Sequence, residues 1–355
     1  MKLRCMRSLV LIFLCAFGVV AVSAQKLREA QSLRGLWKFE IGDDARFADP
    51  SFDDSKWEEI RVPREWEREG YPGYDGYAWY RLHFAAPEEA REFQMYLVLG
   101  QIDDVDEVYL NGHMIGYQGR FPPRYETGYH VPRRYTVPPG LLQLTGDNVL
   151  AVRVYDDELA GGIVHGEVGF FYASDQLELA LDLSGKWRLF MKDDLRFAES
   201  EFDDSAWQQV LVPGIWDGYG NKEFDGTGWY RTRFRVSAKM LEEKLVLVLG
   251  RIDDVEEVYL NGKLLGRTGL WSRRRNFGEP EFSGDDWASM RGYFVPPDLL
   301  SAEKENVLAV RVYDGMIHGG IWDGPLGLAT RREYRMWSEN RSRWGEVWQE
   351  LFNRW

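Results

Sequence analysis

Cysteine is almost absent from this 355-residue chain, and its two cysteines, Cys5 and Cys15, both fall near the start. Lys2, Arg4 and Arg7 precede an apolar run from Leu9 to Val22, and Val22-Ser23-Ala24 sets small residues before Gln25. That is the pattern of a secretory signal over 1–24, cleaved near Ala24. At about 1.5 Å per residue the run makes about 21 Å of helix, too short to span a bilayer. An uncleaved anchor is the competing reading, and Leu14 is not the small residue that a lipoprotein site would need before Cys15. A chain starting at Gln25 has no cysteine, which excludes a disulfide framework and a thiol nucleophile. The expected location is secreted or periplasmic, with no transmembrane segment after cleavage.

Basic residues are also short. There are 44 Lys and Arg against 57 Asp and Glu, and losing the leader takes the net charge from −13 to −16. Nucleic acid and anionic membrane surfaces reward the opposite balance. Histidine is rarer still: the five, at 83, 113, 130, 165 and 318, show no zinc-type spacing and do not recur at equivalent positions. No G-x-S-x-G elbow, phosphate loop or dinucleotide fingerprint occurs. Many acids are present, but no pattern selects the convergent pair that glycoside hydrolysis requires. Nor does length remain for a barrel of about 250 residues. The sequence therefore leans away from an enzyme.

What the chain does have is a repeat. Leu97 to Gly112 (LVLGQIDDVDEVYLNG) returns at Leu247 to Gly262 with fourteen of sixteen positions unchanged, at an offset of 150 residues. That period marks a duplicated domain. The offset holds from Leu27 and Leu177 to Gly119 and Gly269. Eight extra residues then enter the second copy within 271–291, and Asn148–Asp156 (NVLAVRVYD) recurs unchanged at Asn306–Asp314. Asn-Gly after alternating apolar residues is a strong hairpin signal. Helical periodicity is scarce, and short β-branched and aromatic runs are bounded by Gly, Pro, Asp and Asn. The predicted fold is all-β: two tandem β-sandwich domains of the jelly-roll type, over 25–173 and 174–330, followed by a short amphipathic helix. One strand from Tyr172 to Leu183 is expected to lead into the second domain. In the tail, 331–355, Trp337, Trp344, Trp348, Leu351 and Trp355 form a helical stripe, read as docking on domain two, as a surface for a partner protein or second copy, or as membrane-interface contact.

Strand alternation sorts each copy into an apolar and a mixed face. Tyr80, Leu82, Phe84, Val108, Leu110, Leu150, Val152 and Val154 belong to the apolar set. The mixed set is Trp79, Arg81, Glu107, Tyr109, Arg153 and Tyr155, with Trp229, Arg231, Glu257, Tyr259, Arg311 and Tyr313 in the second copy. Aromatic rings with Arg and carboxylates suit carbohydrate: the ring takes the C–H face of a pyranose and the polar groups take its hydroxyls. The same residues would equally serve as a paired network that holds a curved sheet. Loops offer a further site, at Tyr71, Tyr74 and Asp75 in copy one, and at Phe224, Asp225, Trp271, Trp322 and Asp323 in copy two. Paired acids (Asp43-Asp44, Asp53-Asp54, Asp103-Asp104 and their counterparts) would suit a structural calcium ion or simply cap turns. No other cofactor is indicated.

The series G-x-W, F-D-D-S-x-W, V-P-x-x-W, D-G-x-x-W-Y-R, L-G-x-I-D-D-V-x-E-V-Y-L-N-G and N-V-L-A-V-R-V-Y-D occurs twice. Each copy resembles the galactose-binding-like jelly roll known as the sugar-binding domain of glycoside hydrolase family 2, which includes β-galactosidases and β-glucuronidases. It also resembles the β domain of sialate O-acetylesterases. The resemblance implies a module that lends loop residues to a sugar pocket. It points to the end of the NVLAVRVYD strand and the Gly-Gly loop after it: Asp156, His165, His318, Trp322 and Asp323. The expected ligand is an oligo- or polysaccharide. The expected function is non-catalytic carbohydrate binding, with an accessory subunit of a hydrolase or esterase complex, and a glycosidase with an unrecognised site, as alternatives.

Overall fold

The computed structural model describes residues 27–222, 224–271, 280–282, 286–315 and 318–340. Domain one is built from β1 (Leu27–Ser32), β2 (Gly35–Ile41), β3 (Glu58–Val62), β4 (Gly76–Phe84), β5 (Met95–Asp103), β6 (Val105–Leu110), β7 (His113–Gln118), β8 (Arg133–Thr136), β9 (Asn148–Asp156) and β10 (Gly162–Ala173). Domain two repeats them as β11 (Leu181–Asp182), β12 (Gly185–Phe190), β13 (Gln208–Val212), β14 (Gly226–Phe234), β15 (Leu245–Asp253), β16 (Val255–Leu260), β17 (Lys263–Arg267), β18 (Met290–Val295), β19 (Asn306–Asp314) and β20 (Gly320–Thr330). Each domain is a sandwich of a six-stranded and a four-stranded sheet. The strand orders are β3-β2-β4-β9-β6-β7 over β1-β10-β5-β8, and the corresponding β13-β12-β14-β19-β16-β17 over β11-β20-β15-β18. All pairings are antiparallel, so both copies have one topology.

The predicted apolar faces meet between the sheets. Tyr80, Val108, Leu110, Leu150, Val152 and Val154 are fully buried with Trp37, Leu97 and Phe170, and the second copy builds the same cluster. The repeated Asn-Gly closes each β6–β7-type hairpin with two residues at positive φ, 50° at Asn111 and 78° at Gly112. Their backbone twist matches that of the flanking strands.

One expectation needs adjusting. The strand from Tyr172 to Leu183 is broken: β10 ends at Ala173, a Ser174-Asp175 turn follows, and β11 has only two residues. In the tail, 331–340 is helical. Trp337 packs with Leu177, Val246, Val248 and Ala329 on the outside of the four-stranded sheet of domain two, and its indole N–H donates to the Asp175 carbonyl at 2.9 Å. The remaining stripe residues, Trp344, Trp348, Leu351 and Trp355, lie outside the described residues.

The domains touch directly. Buried Asp323 accepts from the Tyr96 hydroxyl at 3.0 Å and pairs with Arg251 of its own domain and with Arg134 of the other. The Tyr117 hydroxyl donates to Asp217 at 3.1 Å, and the His113 and Tyr219 rings lie 4.5 Å apart.

Candidate functional site

The mixed face of each six-stranded sheet is covered. Residues 43–57 fold back over it, and Phe47, Phe52 and Trp57 pack on Trp79, Tyr109 and Ala151 as a second small core. Trp79 is 1% exposed and its N–H donates to Asp43 at 3.4 Å. Arg81 is fully buried, pairs with Asp54 at 2.7 Å, and donates to the carbonyls of Phe47 and Asp49. Copy two repeats this with Trp229 on Asp193 and Arg231 on Asp204. Trp79, Arg81, Trp229 and Arg231 therefore have no free ring face or donor for a sugar. They are the paired network that ties the F-D-D-S loop to the sheet. Alternation shows that they share a face, but not that a loop lies on it.

Arg153 and Arg311 sit at the rim of this network. Arg153 donates to Asp43 at 2.7 Å and Glu107 at 3.1 Å, and Arg311 to Asp193 at 2.7 Å and Glu257 at 2.9 Å. Beyond the network each guanidinium covers an aromatic ring. Arg153 lies 4.2 Å from the Phe121 centroid and 5.0 Å from Tyr77, and Arg311 lies 4.4 Å from Trp271. Phe121 and Trp271 are equivalent at the 150-residue offset.

In domain one this rim opens into a pocket of about 390 Å³ that both domains line. Tyr117, Phe121, Arg120, Arg124 and Arg153 come from the first, and Lys222 and Asp225 from the second. Lys222 pairs with Glu107 across the domain boundary, with its ammonium 5.2 Å from the Tyr117 ring and 5.7 Å from Phe121. Half-buried rings continue from the pocket as a row that ends on an exposed one: Phe121 stacks on Tyr77, Tyr77 meets Tyr155, and Tyr155 meets exposed Tyr125. Arg153 and Asp225, widely separated in sequence, are thus brought together at the pocket, and Tyr155 stands in the row behind it. Phe121 and Lys222 in the pocket, and Tyr77 stacked behind Phe121, are not singled out by the sequence pattern. The matching aromatic at 271 was the available signal for Phe121.

At the strand ends beside this row, three carboxyl groups converge. Asp103, Asp104 and Asp156 each place an oxygen within 4.8 Å of the others, and Asp253, Asp254 and Asp314 do the same in copy two. Asp104 accepts from the hydroxyls of Tyr125 and Thr127 and from the Asp157 N–H, and its carboxyl is held below its ordinary range by those donors against the cost of burial. Burial, with the neighbouring Asp104 charge, pushes Asp103 up to about 7. Burial and the surrounding acids push Asp156 up to about 8, and burial lifts Asp253 to about 9.

The other sequence candidates are scattered. Tyr74 packs on Trp66 and donates to the Tyr77 carbonyl at 2.7 Å, and Asp75 is exposed near Asp156. His165 is exposed on β10. His318 lies edge-on to Tyr117 at 4.0 Å, and burial with the charge of Lys222 lowers it to about 4. Trp271 is 9% exposed and Tyr313 8%. Trp322 leans on Trp287 away from the pocket. Asp323 is the interdomain anchor described above, so its carboxylate is spent on Tyr96, Arg134 and Arg251.

Residues 42–160 match the family of the β-galactosidase second all-beta domain. A β-galactosidase of Vibrio vulnificus is 26% identical over 153 residues, covering 36% of this chain and 14% of its own. A β-glucuronidase of Formosa agariphila is 25% identical over 134 residues, covering 34% and 13%. Among solved structures, Bacteroides uniformis β-glucuronidase 2 bound covalently to cyclophellitol-6-carboxylate aziridine matches over 82% of this chain and 28% of its own. That match has a TM-score of 0.37 and 20% identity. The chain spans about 15% of the length of the curated relatives it matches. It resembles the sugar-binding domains of glycoside hydrolase family 2.

Proposed function

We propose that this chain is a secreted or periplasmic carbohydrate-binding protein without catalytic activity of its own, and that its ligand site is the pocket between Phe121 and Lys222. The observation that carries the reading is the composition of that pocket. Its volume of about 390 Å³ falls in the range of small-ligand sites, about 300–1,000 Å³. Phe121 and the row behind it supply apolar surface for a sugar ring, while Arg153, Lys222 and Asp225 supply donors and an acceptor for its hydroxyls. The family-2 resemblance and relatives named for β-galactosides and β-glucuronides support the same ligand class.

A hydrolase would need two carboxyl groups that reach the glycosidic bond. Of the three carboxyls that converge beside the aromatic row, Asp156 is fully buried, which supports a structural over a catalytic use of that cluster. The test is a glycan array probed with the full chain, together with an assay on chromogenic glycosides. Saturable, sugar-selective binding without turnover is expected. Absence of binding by a folded sample would overturn the proposal, and turnover lost on substituting an acid of the chain would replace it with the glycosidase reading.

A further inference from the structure

The three-acid cluster of domain one is short of positive charge. Asp103 ends β5, Asp104 follows it, and Asp156 ends β9, so the fold itself drives the three carboxyl groups together. Asp156 is fully buried, and neither of its oxygens has a hydrogen-bond partner among the described residues. Leaving a buried carboxylate unpaired is costly unless a proton or a cation neutralises it. Among the described residues no Lys, Arg or His pairs with Asp103, Asp104 or Asp156. Buried Arg133 lies nearby, but its N–H groups go to Asp106 and to the carbonyls of Asp104, Gly128 and Val131.

We propose that Asp103, Asp104 and Asp156 bind a calcium ion, and that Asp253, Asp254 and Asp314 form its counterpart in domain two. The donors are all oxygen, with no imidazole or thiolate, which selects a hard cation. Magnesium keeps most of its water shell and suits open sites, whereas calcium accepts crowded carboxylates in flexible geometry. A site with Asp156 fully buried and Asp104 8% exposed favours the latter. The duplication adds a second observation, because one neighbour repeats as well. The Gly315 N–H donates to Asp254 at 3.0 Å, as the Asp157 N–H does to Asp104. The ion would tie β5 to β9 and, through Tyr125 and Thr127 on Asp104, hold the segment that carries Phe121. This assignment does not depend on what the pocket binds.

The test is calorimetric titration of the chelator-stripped full chain with calcium chloride, paired with thermal unfolding. Two bound ions per chain are expected, together with a rise in melting temperature at about 1 mM calcium, the weak end of extracellular calcium modules. Asp156→Asn should bind one ion, and Asp156→Asn with Asp314→Asn none. Without calcium these variants should melt no lower than the parent, since the substitution relieves repulsion among the acids. Asp103→Asn, at a half-exposed position, gives the same readout should Asp156→Asn fail to fold. Failure of calcium to bind the parent chain, or an unchanged response in the double variant, would overturn the site.

Discussion

Arg81 shows how a residue chosen for chemistry can be committed to structure. Its guanidinium is fully buried against Asp54 and two carbonyls, so removing it leaves the buried Asp54 carboxylate with half-exposed His83, at 3.1 Å, in place of a fixed cation. Arg81→Met should cost about 3–5 kcal/mol in urea unfolding. Trp229→Ala should cost a similar amount, about 3–5 kcal/mol, because the ring is buried beneath Phe197 and Trp207. Both should act on stability, with sugar affinity changed only in proportion to the folded fraction. His318 gives a pH signature. Burial and Lys222 lower it from 6.5 to about 4, so between those values the unfolded chain takes up a proton that the folded chain refuses. The stability held by neutral His318 is therefore present above about pH 6.5 and is lost as pH falls toward 4. His318→Gln should flatten unfolding free energy against pH across that window, and a slope equal to the parent's would contradict the assignment.

At the scale of elements, strand alternation and the Asn-Gly turns were legible because each follows from a local rule. Gly112 sits at φ 78°, and a Cβ there would lie 2.9 Å from the Pro50 side chain. Gly112→Ala should cost about 1–3 kcal/mol, measured by denaturant unfolding, whereas Gly140→Ala, with open space around it, tests the backbone effect alone. What alternation leaves open is which loop covers a face. The sequence puts Trp79, Arg81 and Arg153 together, but only the path of 43–57 buries the first two and leaves the third at a rim. The sixteen-residue repeat held a similar hidden message. Its change from Asp106 to Glu256 falls on buried partners of Arg133 and Arg291, in each case joined by a tyrosine. The substitution preserves an Arg–carboxylate–Tyr triad in which one strand supplies the Arg and Tyr and another, in the opposite sheet, supplies the acid.

For the whole molecule, duplication did more than double one site. The pocket is asymmetric: domain one supplies the aromatic row, while domain two supplies Lys222 and Asp225 from the loop that leads into β14. No reading of either copy alone would have joined them, because the join depends on how β7 of the first domain meets the 216–219 turn of the second. That dependence also explains why the family resemblance, read copy by copy, pointed to Asp323 and Trp322 rather than to Phe121. The most direct measurement is an affinity titration of the best array glycan against the parent chain and Phe121→Ala. At a half-buried ring the substitution should leave melting nearly unchanged and weaken binding about tenfold or more, near the 1.4 kcal/mol of one stacking contact. Equal affinity in a folded Phe121→Ala would place the sugar elsewhere and contradict the pocket as the binding site.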